Sequence, residues 1–276
     1  MEKLEAALSK AREMRKSAVS GPAAAERAPR GTAARDGTAG DWTAIAESHV
    51  KPRLAQRNRL AALLGGREAT PYDMLRSRTI RLMREKNWTR LAITSPDAGC
   101  GKSTVSLNLA LSLSRQKDLK VMLLDLDLRR PAIARMLNHA PRHSVHEVLR
   151  GEAALEDCAI RIGANLIVAM NAQPARQPSE LLQSRQAIEA LDAIERQWRP
   201  DVMLFDLSPM LASDDNVGFL PNVDCALLVA AAESTMMPNI DICEKEIAQL
   251  TNVLGVVLNK CRYADDSVGY TKDYYG

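Results

Sequence analysis

The chain has 276 residues, 46% of them hydrophobic and 26% charged, which is enough apolar material for one large α/β domain with segments to spare. Its longest apolar runs, Val121 to Leu124 and Ala226 to Ala232, fall far short of the roughly 20 residues that cross a bilayer, and Met1 to Glu5 alternates charges where a signal peptide would need an apolar stretch to follow. The five cysteines stand singly, which implies neither zinc nor disulfides, and a cytoplasmic location is expected.

The formal net charge of +3 is unevenly spread. Residues 1–66 carry 12 Lys and Arg against 7 Asp and Glu, so any attraction to anionic lipid or to an acidic partner should reside there. No nucleic-acid partner is expected. Within this segment, Leu4, Leu8 and Ala11 recur at helical spacing among charges, predicting an amphipathic helix over 1–19. Residues 20–47 are poor in large apolar side chains and predict a disordered linker, with the ordered domain running over 48–262.

A basic helix is predicted over Tyr72 to Lys86, with Leu75, Thr79, Leu82 and Met83 on one side. Arg90 to Ser95 then reads as a strand, followed by a turn of small residues and a helix from Ser103 to Arg115. The turn, Gly99-Cys100-Gly101-Lys102-Ser103-Thr104, is a phosphate-binding loop in its required setting. Its glycines let backbone N–H groups approach phosphate oxygens, the helix N-terminus adds its positive end, Lys102 reaches the β- and γ-phosphates, and Ser103 ligates Mg²⁺. The expected ligand is therefore Mg·ATP. Pro96 stands where the strict loop pattern has its first Gly.

The next apolar strand, Lys120 to Leu124, runs into Asp125 and Asp127, then Arg129 and Pro131. Carboxylates at the carboxyl end of a buried strand lie where open parallel sheets bind ligands, and they call for a cation. His139, His143 and His146 lack the companions of a metal site and read as a solvated loop and helix start. A strand over Asn165 to Ala169 precedes a long helix, Ser179 to Gln197, with Ser179 as its N-cap. Asp201 to Phe205 is a strand ending in Asp206, the Walker B arrangement in which a carboxylate orients Mg²⁺. Asp215, a little further on, is either another acid at that edge or a charge on a helix N-terminus.

Cys225 to Ala230 and Val253 to Leu258 are the last strands, separated by a helix from Pro238 to Leu250. Asn259 ends the final strand; it is either a turn former or a reader of an adenine edge. Strands apolar throughout and separated by helices predict a mainly parallel central sheet with helices on both faces. In the final segment, 263–276, a flexible tail is expected to hold Tyr263, Tyr270, Tyr274 and Tyr275, four of the five tyrosines, which read not as core but as phosphoacceptors or, alternatively, as an interaction tail.

These motifs, in this order and with this tail, resemble the bacterial tyrosine kinase family, within the MinD/ParA-like superfamily of P-loop proteins. The resemblance covers about Tyr72 to Gly276. The family's loop, Thr-Ser-x-x-x-Gly-x-Gly-Lys-Ser, is matched from Thr94 to Ser103, and its continuation Asn-Leu-Ala by Asn108, Leu109 and Ala110. Its Asp-x-Asp-x-Arg motif is matched by Asp125, Asp127 and Arg129, its Walker B acid by Asp206 and its later Asp by Asp215.

The resemblance implies ATP-dependent autophosphorylation on the tail tyrosines. Lys102 and Ser103 would hold phosphate and Mg²⁺, and Asp125, Asp127 and Asp206 would organise the metal and the acceptor hydroxyl, with Ser103, Asp127 and Asp206 as the metal ligands. It also implies a homo-oligomer, a membrane polysaccharide co-polymerase whose cytoplasmic segment would hold the chain at the inner face of the plasma membrane, and a tyrosine phosphatase. Two alternatives are a MinD/ParA-like switch ATPase and an ATP-binding co-polymerase regulator without kinase activity. The signature Lys of the switch ATPases is replaced by Asp97. The family's subunit-packing motif, Glu-x-Tyr-Arg-x-x-Arg, is matched only at Tyr72 and Arg76, and Leu207-Ser208-Pro209 follows the Walker B acid where the family has Thr-Pro-Pro.

Overall fold

In the computed structural model, which describes residues 40–261, seven strands form one sheet. They are β1 (Arg90–Thr94), β2 (Val121–Asp125), β3 (Ala159–Ile162), β4 (Leu166–Ala169), β5 (Val202–Asp206), β6 (Cys225–Ala231) and β7 (Asn252–Asn259). The order across the sheet is β3-β4-β2-β5-β1-β6-β7, and every neighbouring pair is parallel except β3 and β4. The mainly parallel sheet expected from the apolar runs is therefore present.

Those runs are continuous because both faces of the sheet are covered. Side chains alternate along each strand. Leu91, Ile93, Leu123, Leu204 and Val229 enter one core, and Ala92, Leu124, Phe205 and Leu228 enter the other. The helix after β1, Lys102–Ser114, is buried nearly all round, with Leu107, Leu109, Leu111 and Leu113 inside the first core. A helix with apolar residues on every side belongs in an interior. It is flanked by Ala61–Leu64 and Thr70–Lys86, and Pro52–Arg57 packs on the former; in chain order Pro52–Arg57, Ala61–Leu64 and Thr70–Lys86 are here α1, α2 and α3, the central helix being α4.

Three sequence expectations change. The ordered domain begins before residue 48: Trp42 and Ile45 are buried, the Trp42 indole donates to the Trp198 carbonyl at 2.9 Å, and Glu47 bridges to Arg161 on the edge strand β3. The helix predicted over Ser179 to Gln197 is two helices, Pro178–Gln183 and Arg185–Trp198, because Ser184 adopts an extended conformation. Its hydroxyl caps the second helix by accepting from the Ala187 N–H at 3.1 Å. Ser179, the expected N-cap, instead directs its hydroxyl to Asp214 and Asp215. Finally, His146 is buried rather than solvated, while the exposed His143 pairs with Glu147 at 2.9 Å. The predicted 1–19 helix and the tail tyrosines lie outside the described residues.

Arg90 opens β1 with its guanidinium enclosed, 2% exposed, between Asp192 at 2.6 Å and Glu195 at 2.5 Å on the Arg185–Trp198 helix. It thereby ties the middle of the sheet to the helix layer. Removing the cation leaves two half-buried carboxylates facing each other, so Arg90→Ala should cost about 2–4 kcal/mol of stability by urea denaturation, with the Asp192→Asn, Glu195→Gln pair recovering part of that loss.

Candidate active site

The site forms at the carboxyl ends of β1, β2 and β5, where a parallel sheet presents its ligand crevice. β1 leads into the phosphate loop, whose Gly99 (φ +82°) and Gly101 (φ +92°) both take left-handed conformations. Gly101 is fixed twice over, since a Cβ there would also collide with the amide of Asn259. It is the residue from which α4 starts, so the first N–H groups of that helix face the loop. Lys102 and Ser103 follow at once, both nearly buried, with Thr104 partly exposed beside them.

The parallel register of β2 and β5 sets Asp125 directly beside Asp206. Asp127, two residues beyond, takes the Lys102 ammonium at 2.5 Å and accepts from the Arg130 N–H at 3.0 Å. Asp125 accepts at one oxygen from the N–H groups of Ala132 and Ile133, and Asp206 accepts from the Ser106 hydroxyl at 3.0 Å. The remaining oxygens, Asp125 Oδ1 and Asp206 Oδ2, are buried without a hydrogen-bond partner. Burial raises the Asp125 carboxyl well above the ordinary range, and repulsion from Asp206 adds to it. Burial likewise raises Asp206, against the pull of Lys102. For Lys102, burial works against the charge, but Asp206, Asp127 and Asp125 together outweigh it and hold the ammonium more strongly protonated than usual.

Asn259 donates to the Cys100 carbonyl at 2.9 Å, so the end of the sheet's last strand braces the loop. Of the two roles left open for it, Asp215 takes that of a helix N-terminal charge: it is the first residue of the helix Asp215–Phe219, and its carboxylate is buried in a fork with Arg129, at 2.8 and 2.9 Å. Burial opposes its charge, but the bonds from Arg129 and Ser179 prevail and hold its carboxyl below the ordinary value. Asp97 accepts from the Asn239 amide at 3.4 Å and brings an acid, not a cation, to the start of the loop.

Two contributors escaped the sequence reading. Ser106, one turn after Lys102 on the same helix face, bonds Asp206, and Asn171, just past β4, donates to the Asp125 carbonyl at 2.7 Å. The signal for Ser106 was its spacing from Lys102; for Asn171 there was none.

A strand-to-helix phosphate loop faced by carboxylates on two neighbouring strands defines a P-loop NTPase. The family model described as "ParA: NUBPL iron-transfer P-loop NTPase" matches residues 87–276, and the chain belongs to that family of P-loop NTPases. The iron transfer in that description belongs to the protein it names. Within this fold the chain is similar to bacterial tyrosine kinases. It is 28% identical over 183 residues to the tyrosine-protein kinase ptk of Acinetobacter johnsonii, covering 65% of this chain and 24% of the relative. To the tyrosine-protein kinase CpsD of Streptococcus pneumoniae it is 26% identical over 190 residues, covering 67% of this chain and 82% of the relative. The crystal structure of the VpsO kinase domain superposes with a TM-score of 0.63 at 29% identity, covering 75% of this chain and 97% of that domain. The chain thus spans about a quarter of the length of the long relative and most of the length of the short one.

The crowding of carboxylates has a measurable consequence. An amide at position 125 can still accept from Ala132 and Ile133, and its NH₂ can meet the partnerless oxygen of Asp206. Asp125→Asn should therefore raise the melting temperature at pH 7.5 by about 2 °C, equivalent to about 1 kcal/mol. The sign follows from linkage: a carboxyl raised on folding contributes stability at low pH that is lost as pH climbs through its folded value, so the wild type should gain relative to the variant on acidification.

Proposed function

We propose that the chain is an ATP-dependent protein-tyrosine kinase that phosphorylates its own tail. The observation that carries this reading is the buried Lys102 ammonium among three carboxylates, two of which keep an oxygen partnerless, beside a phosphate loop. Such a site is built to receive a polyanion together with a cation. The free oxygens of Asp125 and Asp206 and the hydroxyl of Ser103 form an all-oxygen donor set of the kind that suits Mg²⁺. When bound, the ion would screen charge between phosphate oxygens and these carboxylates.

Phosphates in the loop would be met by backbone N–H groups of residues 99–104 and by Lys102, which they would draw away from Asp127. The released Asp127 carboxylate is then an acceptor for the tyrosyl proton. The tyrosyl oxygen forms a bond to the γ-phosphorus as the bond to the β-phosphate oxygen breaks, giving phosphotyrosine and ADP. Positioning and charge compensation supply the catalysis, since phosphoryl transfer needs little covalent chemistry from the protein.

Tyr263, Tyr270, Tyr274 and Tyr275 are the acceptors in this reading. The resemblance supports a membrane polysaccharide co-polymerase as activating partner, a phosphatase as antagonist, and a place at the inner face of the plasma membrane through that partner. Among the described residues no helix is long and apolar enough to cross a membrane.

The test is phosphotyrosine mapping after incubation with Mg·ATP and the co-polymerase cytoplasmic segment. Wild type should be labelled in the tail, Lys102→Met should lose activity by about 100-fold or more, and truncation after Arg262 should remove the label while leaving ATP binding intact. Hydrolysis of ATP with no phosphate on tyrosine would replace the kinase by a switch ATPase.

A further inference from the structure

The loops that leave β6 and β7, at Ala232–Ser234 and Lys260–Cys261, enclose with Arg59 a cavity of about 570 Å³, within the size range of nucleotide and small-molecule sites. It adjoins the phosphate loop. The Ala232 N–H donates to the Asn259 carbonyl at 2.8 Å, and the Asn259 side chain in turn donates to Cys100 inside the loop. The opposite flank of the loop is taken by Asp125, Asp127 and Asp206, which the chemistry needs for a cation and for the acceptor. A nucleoside attached to phosphates in the loop therefore has this cavity as its outlet.

Arg59 reaches the cavity from the turn between α1 and α2, outside the residues that match the family model. Its backbone is held in place from the loop helix. Asn108, fully buried on α4, donates to the Arg59 carbonyl and to the Thr104 carbonyl, each at 2.9 Å, and accepts from the Ala62 N–H at 3.0 Å. One side chain thus fastens the Arg59 turn to the first turn after the phosphate loop. Arg59 itself takes a left-handed conformation, φ +55°, unusual for an arginine and maintained by this fastening. The neighbouring Asn58 adds a second tether, donating to the Met136 carbonyl at 2.6 Å.

We propose that Arg59 is a nucleobase-binding residue whose planar guanidinium stacks on the purine of the bound nucleotide, with Asn108 as the residue that positions it. The proposal rests on the nucleotide reading above and adds the base contact to it. A guanidinium offers both a flat face and a cation to an aromatic ring, which an ammonium does not. Small side chains at Ala232 and Ser234 leave room for the ring and ribose, and Lys260 lines the wall on the β7 side.

Calorimetry with the full chain decides this, using Mg·ADP and, as a probe without a base, Mg·pyrophosphate. The variants are Arg59→Asn, which tolerates the left-handed backbone, and Arg59→Lys, which keeps the charge without the plane. Arg59→Asn should bind ADP about tenfold more weakly, Arg59→Lys should recover little of that, and pyrophosphate affinity should stay within about twofold of wild type in both. Equal ADP affinity in wild type and Arg59→Asn overturns the proposal, as does full recovery by Arg59→Lys or a parallel loss of pyrophosphate binding. Wild type that binds neither probe removes the nucleotide reading itself, an outcome distinct from loss of the base contact alone.

Discussion

Three carboxylates and one ammonium are buried together at the carboxyl edge of this sheet, and Asp125 and Asp206 cannot separate without moving β2 or β5. The register that pairs Asp125 with Asp206 is set by apolar side chains further down both strands, which lie in the two cores. A shift of one residue would exchange those cores for each other along a whole strand. The sheet therefore holds its acids together against their repulsion, and the aliphatic interior supplies the free energy to do so. Lys102 offsets part of the charge, and the two partnerless oxygens record what is left over.

The same constraint explains why the helix after the loop is buried on all sides. Lys102 stays within reach of Asp127 only if α4 cannot rotate, and its polar side chains lock it: Ser106 to Asp206, Asn108 to the Arg59 turn, and Ser112 to Asp73 on α3 at 2.7 Å. Each is buried and bonded, so the polar groups orient the helix while the leucines between them fill the core. The helix links the phosphate loop to both the acidic edge and the N-terminal helices.

How much of this was legible in the sequence depends on whether the cause was local. The strands were legible because burial on both faces makes each an uninterrupted apolar run, as at Val121 to Leu124. The loop and its acids were legible because glycine, lysine and aspartate occupy spacings that few other structures demand. The break at Ser184 was not, since the run from Ser179 to Gln197 keeps helical composition throughout and the break is a single extended residue. Nor was the burial of Trp42, which depends on Trp198 some 156 positions away. The pairing of Arg129 with Asp215 shows the limit most plainly. Both residues were singled out, but only the fold brings β2's end to the helix at Asp215, turning two apparent site charges into one bidentate ion pair.

A comparable pairing bears on assembly. In the family this chain resembles, the helix before the phosphate loop presents charged residues to a neighbouring subunit. Here two charges of α3 are used within the chain: Asp73 accepts from Arg76 at 3.1 Å and from Arg115 at 2.9 and 3.0 Å, while Arg76 also donates to the Ser112 carbonyl at 3.3 Å. These bonds hold α3 against α4, the helix that carries Lys102. Recruiting Arg76 to another subunit would break a partly buried network and loosen the support of the loop it is meant to serve. Asp73 and Arg76 are thereby committed to the rigidity of a single active site.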